Sequence, residues 1–168
     1  MWVKQIMEYQ VKTGSPEKQS TGCLIVSVSA KTKLSATGKQ LDDASNGLLS
    51  KLIRRGDLER KAGKLLLLSD VPNIKAQRVL LVHCGQPEEL DESKFISLLK
   101  NTITAVKNSD ARDAVIFPDE FKLAEHGLDW TVIQMITQCE ESLYQFNQLK
   151  SKPDTSPAKL ARITFALP

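Results

Sequence analysis

Short, nearly unbroken apolar runs recur along this chain and set its fold class. Gly22-Cys23-Leu24-Ile25-Val26-Ser27-Val28, Leu65-Leu66-Leu67-Leu68, Val79-Leu80-Leu81-Val82 and Asp113-Ala114-Val115-Ile116-Phe117 each match the length of one strand. A strand covered on both faces shows no polar alternation, and these runs show none. Turn chemistry closes three of them, at Pro72-Asn73, Gly85-Gln86-Pro87 and Pro118. Helical spacing fills the intervals. Leu41, Ala44, Leu48 and Leu52 repeat at helical intervals, with Leu49 and Ile53 widening the stripe. Asn46-Gly47 divides that stripe, and Gly56 stops it. Phe95, Leu99, Ile103 and Val106 form a second stripe, and Val132, Ile136, Cys139, Leu143 and Phe146 a third. Asp91 and Asp129 stand as N-caps whose carboxylates accept from free backbone N–H groups. Leu90 with Phe95, and Leu128 with Ile133, take the positions of hydrophobic staples.

Two weaker strands complete the pattern. Tyr9 and Val11 alternate with polar neighbours, as on an edge strand near 8–12, and Thr13-Gly14-Ser15-Pro16 ends it. Ile163, Phe165 and Leu167 alternate in a last strand, after a polar, proline-containing linker at 151–157. The order β-β-α-β-β-α-β-α-β predicts an α/β fold, a three-layer mixed sheet flanked by helices, in one domain over 1–168. The runs at 65–68 and 79–82 read as central strands. The short connection between them makes the sheet mixed. The chain stops straight after a strand, with no closing helix or tail, which reads as an imposed end rather than a natural terminus.

Charge and cysteine content narrow the function. The longest apolar runs fall far short of the about 20 residues a membrane-spanning helix requires, and no secretory leader opens the chain. Three cysteines, widely separated, give no disulfide framework and no CxxC knuckle, so a reducing cytoplasm is expected. Net charge is +3, but residues 1–84 carry 14 basic and 7 acidic side chains, and residues 85–168 carry 9 and 13. The densest basic stretch is 51–64. Lys51, Arg54, Arg55, Arg60 and Lys61 there can neutralise nucleic-acid phosphates without reading sequence. Arg54 and Arg55 before Gly56 equally suit a helix C-terminus, where cations face the negative end of the dipole.

No catalytic or metal-binding residue emerges from spacing. His83, Cys84 and Gly85 close a strand, where α/β sheets collect ligands, but neighbouring strand residues point to opposite faces and a His-Cys pair cannot form. Cys23 and Cys139 read as small core residues. His126 reads as a surface residue without a partner at ligand spacing. Asp42/Asp43, Glu88/Glu89 and Glu140/Glu141 are adjacent pairs that cannot share a helical site. Asp119-Glu120 is the one acidic pair at a strand's carboxyl end. No Walker loop, GxGxxG, HExxH or GxSxG occurs.

Four stretches in order carry a resemblance. They are Val11-Lys12-Thr13-Gly14-Ser15-Pro16-Glu17-Lys18-Gln19, Leu52-Ile53-Arg54-Arg55-Gly56-Asp57-Leu58-Glu59, Arg78-Val79-Leu80-Leu81-Val82-His83-Cys84-Gly85, and Glu141-Ser142-Leu143-Tyr144-Gln145-Phe146-Asn147-Gln148-Leu149-Lys150. Together they resemble the N-terminal domain of the cytosolic leucyl aminopeptidases, especially the bacterial aminopeptidase A branch. The resemblance implies a macro-domain-like sheet and a parent hexamer that removes N-terminal residues from peptides. It implies two zinc or manganese ions bound in a separate C-terminal catalytic domain, whose Asn-Thr-Asp-Ala-Glu-Gly-Arg-Leu motif is not in this chain. No catalytic or metal residue is therefore carried over. Two alternatives accompany it: a DNA-binding accessory role through residues 51–64, as in some bacterial relatives, and a nucleotide or ADP-ribose module by analogy of fold.

Overall fold

Every residue of Cys23–Val28 is buried, because this strand has a neighbour on each side and a helical layer on each face. The computed structural model describes residues 6–148 and 159–167, with side chains omitted at 145–148. Its elements are β1 (Glu8–Thr13), β2 (Cys23–Val28), α1 (Ala36–Ala44), α2 (Leu48–Arg55), β3 (Leu65–Ser69), β4 (Arg78–His83), α3 (Glu92–Asn108), β5 (Asp113–Ile116), α4 (Leu128–Gln148) and β6 (Arg162–Leu167). They form a six-stranded sheet in the order β1-β6-β5-β2-β4-β3. All neighbours are parallel except β3 and β4. The mixed three-layer α/β sheet expected from the pattern is present. The predicted linker at 151–157 and the Phe146 side chain lie outside the described residues.

Strand periodicity divides the core in two. Cys23, Ile25, Leu80, Val82, Ala114, Ile116, Ile163 and Phe165 face α3 and α4. Leu24, Val26, Val28, Val79, Leu81 and Val115 face the side of Leu41, Leu49 and Ile53, on α1 and α2. Because both faces are covered, the middles of β2, β4 and β5 show no polar–apolar alternation.

β3 departs from the expectation. It is an edge strand rather than a central one, pairing only with β4, and Leu67 is 41% exposed. Four consecutive leucines carry no information about which face is open, so the apolar run hid the edge. β1 is the other edge, as expected, though Val11 lies exposed there and only Tyr9 packs inward, stacked on Phe165 at 6.3 Å between ring centroids. β6 lies between β1 and β5, so Thr164 and Ala166 are buried beside their apolar neighbours.

Helix ends follow local chemistry, with one exception. Asn46 and Gly47 both take left-handed backbone and separate α1 from α2. Gly56 adopts φ 93° and caps α2, its N–H bonding back to Ile53. Asp91 caps α3, accepting from the Lys94 N–H at 2.8 Å. Asp129 is not the N-cap expected of it. Helix α4 begins at Leu128, with Thr131 N–H already bonded to Gly127, so Asp129 sits inside the first turn. Its stripe is also rotated: Thr131, Met135, Gln138, Cys139 and Leu143 are buried, while Val132 and Ile136 lie at the margin. The two aspartates should separate in a stability measurement. Asp91→Ala is expected to lower unfolding free energy by about 1 kcal/mol, the usual effect of removing a cap. Asp129→Ala should lose about half that or less, through the helix dipole alone. Equal losses in chemical denaturation would contradict the placement.

Candidate functional site

The carboxyl ends of β2, β4 and β5 lie side by side, where an open α/β sheet binds its ligands. Two regions occupy this crest. Over β2 and β5, the acidic pair singled out in the sequence meets the start of α1. Glu120 accepts from the Thr37 N–H at 2.8 Å, and Ser35 accepts from the Gly38 N–H at 3.1 Å. A side-chain carboxylate and a hydroxyl thus fill the N-terminal anion position of α1. One further oxygen on each of Asp119 and Glu120 is buried without a partner.

Over β4, a cavity of about 790 Å³ opens between the loop preceding β3 and the first turns of α3. Arg60 and Lys61 stand on one wall and Lys94 on another, against the single carboxylate of Glu89. Ser93, Ser97 and Asn101 come from α3 at intervals of four, so they share one helical face. The loop wall is fixed by backbone bonds, from Gly63 N–H to the His83 carbonyl at 2.8 Å and from His83 N–H to the Lys64 carbonyl at 2.9 Å. At the floor, Gly85 turns with φ 75°, and a Cβ there would stand 2.7 Å from that of Ala62. The Gly85 N–H donates to His83 Nδ1 at 3.2 Å, which places the neutral ring's proton on Nε2, a buried atom without an acceptor. Burial holds the His83 pKa below its ordinary value, so the ring is neutral at pH 7.

The basic residues singled out in the sequence separate into two groups. Lys51, Arg54 and Arg55 belong to exposed turns of α2, and Arg60 and Lys61 to the cavity wall. Arg55 is held by Asp57, with Nε 2.9 Å from the carboxylate, and Lys64 pairs with Glu59 at 2.9 Å. Among the described residues no carboxylate pairs with Lys51, Arg54, Arg60 or Lys61. Ser93, Lys94, Ser97 and Asn101 escaped the sequence reading. Their interval of four was legible, but on a helix an exposed polar face signals solvent until another element is known to stand opposite.

The remaining candidates are structural. His126 has a partner after all: its Nε2 lies 2.8 Å from Glu92, and its ring stacks on Trp130 at 4.0 Å. Among the described residues, no three His, Cys, Asp or Glu side chains converge to hold a metal. The family resemblance puts the two-ion centre in a separate C-terminal domain, outside this chain. Cys23 and Cys139 are buried core residues, and all three cysteines are free. Burial pushes each thiol from 9.0 up to about 12. The folded chain thus holds these protons more tightly than the unfolded chain. The resulting stabilisation is complete below about pH 9 and declines as pH rises toward 12. Aromatic disulfide reagents at neutral pH should modify the folded chain far more slowly than the chain in urea. Rapid reaction of Cys23 and Cys139 in the folded chain would contradict their burial.

Comparisons with known proteins agree with this architecture. The family model for "Cytosol aminopeptidase family, N-terminal domain" matches residues 25–153. Probable cytosol aminopeptidases of Idiomarina loihiensis and Photobacterium profundum are each 42% identical over 162 residues, 96% of this chain and 32% of theirs. The chain thus spans about a third of the length of these relatives. A tomato leucine aminopeptidase mutant superposes with TM-score 0.74 at 17% identity, over 99% of this chain and 34% of its own. A Trypanosoma brucei macrodomain solved with ADP-ribose superposes with TM-score 0.70 at 10% identity, over 95% of this chain and 63% of its own. The macrodomain likeness is one of fold. Sequence and architecture converge on one assignment: the chain belongs to the cytosol aminopeptidase family and corresponds to its N-terminal domain.

Proposed function

We propose that this chain is the non-catalytic N-terminal domain of a cytoplasmic leucyl aminopeptidase, serving assembly of a hexamer and access of peptides to its active sites. The observation that carries this reading is the family match over 25–153 in a chain that spans 32% of its relatives. The remaining two thirds of such a protein would hold the two zinc or manganese ions and cleave the N-terminal peptide bond. Within this chain no cluster of metal-ligating side chains occurs among the described residues. Nor does any described helix have the length and apolarity to cross a membrane.

Equilibrium dialysis against zinc or manganese tests the division of labour. The 168-residue chain should capture neither ion stoichiometrically, whereas a protein extended to the relatives' length should capture two. Tight binding of two ions by the short chain would overturn the reading. Sedimentation of the extended protein should give six copies, and a monomer would remove the assembly role.

A second reading has one observation behind it. Lys51, Arg54, Arg60 and Lys61 are exposed cations unpaired by any described carboxylate, and DNA phosphates would suit them. Binding of duplex DNA should then weaken steeply with salt. An Arg54→Ala/Arg55→Ala pair that left both affinity and salt slope unchanged would remove those two residues from the interface. A nucleotide role has less support, because Glu120 already occupies the α1 N-terminus with a carboxylate.

A further inference from the structure

The cavity over β4 is unused by an assembly role, yet it has the chemistry of a binding site. Its volume of about 790 Å³ falls in the range of small-molecule pockets. Three cations and one carboxylate line it, and Asp91 stands 3.8 Å from Lys94, so the net positive charge of the lining rests mainly on Arg60 and Lys61. Arg60 and Lys61 are adjacent in sequence and both reach the same cavity, so a single dianionic group can meet both. Lys94 is steadied from within, its Nζ donating to the Glu89 carbonyl at 2.9 Å, which sets its charge at the opposite wall. Surface cations alone would be a weak signal, because solvent screens them. Here they are combined with Ser93, Ser97 and Asn101, which share one face of α3 and form no side-chain hydrogen bond among the described residues. A row of hydroxyl and amide groups opposite paired cations suits a ligand with hydroxyls at one end and a phosphate at the other. At the turn of Gly85 the loop before β3 packs against the backbone, since a side chain there would strike Ala62.

We infer that this cavity binds a sugar phosphate, with the phosphate between Arg60, Lys61 and Lys94 and the hydroxyls along Ser93, Ser97 and Asn101. A phosphate is favoured over a carboxylate because three cations match a dianion better than a monoanion. The site lies beside the Glu120-filled end of α1, so it is separate from that position.

Isothermal titration of the chain with ribose 5-phosphate, inorganic phosphate and free ribose tests the inference. Ribose 5-phosphate should give saturable heat, inorganic phosphate should bind more weakly, and ribose should give none up to about 10 mM. Arg60→Ala/Lys61→Ala should weaken ribose 5-phosphate at least about tenfold, or about 1.4 kcal/mol. Ser97→Ala/Asn101→Ala should weaken ribose 5-phosphate while leaving inorganic phosphate unchanged. Lys51→Ala/Arg54→Ala, on α2, should change nothing, which distinguishes this site from a nucleic-acid surface. All six positions are exposed, so the variants should melt with the parent chain. Absence of saturable heat from both phosphate probes would overturn the inference. So would binding that survives both cavity double variants unchanged.

Discussion

Phe95→Ala is expected to destabilise the chain by about 3–5 kcal/mol, read as a lowered urea midpoint at nearly constant slope. Phe95 is 2% exposed and belongs to the core layer between the sheet and α3/α4. Its ring meets Trp130 at 5.6 Å, and Trp130 stacks on His126, which bonds Glu92. The truncation therefore opens a cavity and also loosens the contact that joins the starts of α3 and α4. A loss of that size is a large share of the about 5–15 kcal/mol that stabilises a domain. The control is Ile133→Ala on the outer face of α4, where 57% exposure predicts a change within about 0.5 kcal/mol. A Phe95→Ala variant within about 1 kcal/mol of the parent would mean that this layer is not packed as described.

Gly85→Val is the second large effect, expected to cost about 3 kcal/mol or more. Left-handed backbone disfavours an L side chain by about 1–2 kcal/mol, and a branched one further. The added Cβ would also stand 2.7 Å from the Ala62 Cβ, so the loop before β3 must shift. Gly56→Ala is the matched comparison, because it has a similar φ of 93° and nothing within 4 Å of its added Cβ. It should lose only about 1 kcal/mol, the backbone part. If the two variants proved equally stable, the close approach at Gly85 would be refuted.

These residues also show what the chain discloses before folding. β2, β4 and β5 were legible because burial on both faces leaves the stretches 23–26, 79–82 and 114–116 without a polar residue. Gly56 and Asp91 were legible because capping is local chemistry, decided within one turn. Asp129 misled for the same reason: the local pattern fitted, but the helix began two residues earlier than an Asp129 cap requires. Strand order was not legible. Whether Leu65–Leu68 lies inside the sheet or at its edge depends on what pairs with it, and the residues encode only apolarity. The cavity was half legible. Arg60 and Lys61 stood out as charge, whereas Ser93, Ser97 and Asn101 became a wall only once the loop at 60–63 was seen facing them.

The proposed division of labour puts the reactive groups of the parent aminopeptidase outside these 168 residues. Hydrolysis of leucine amide, with saturating zinc or manganese, tests it most directly. The isolated chain should show no turnover above buffer, and a protein extended to the relatives' length should show metal-dependent turnover. Sustained, metal-dependent release of leucine by the isolated chain would contradict it.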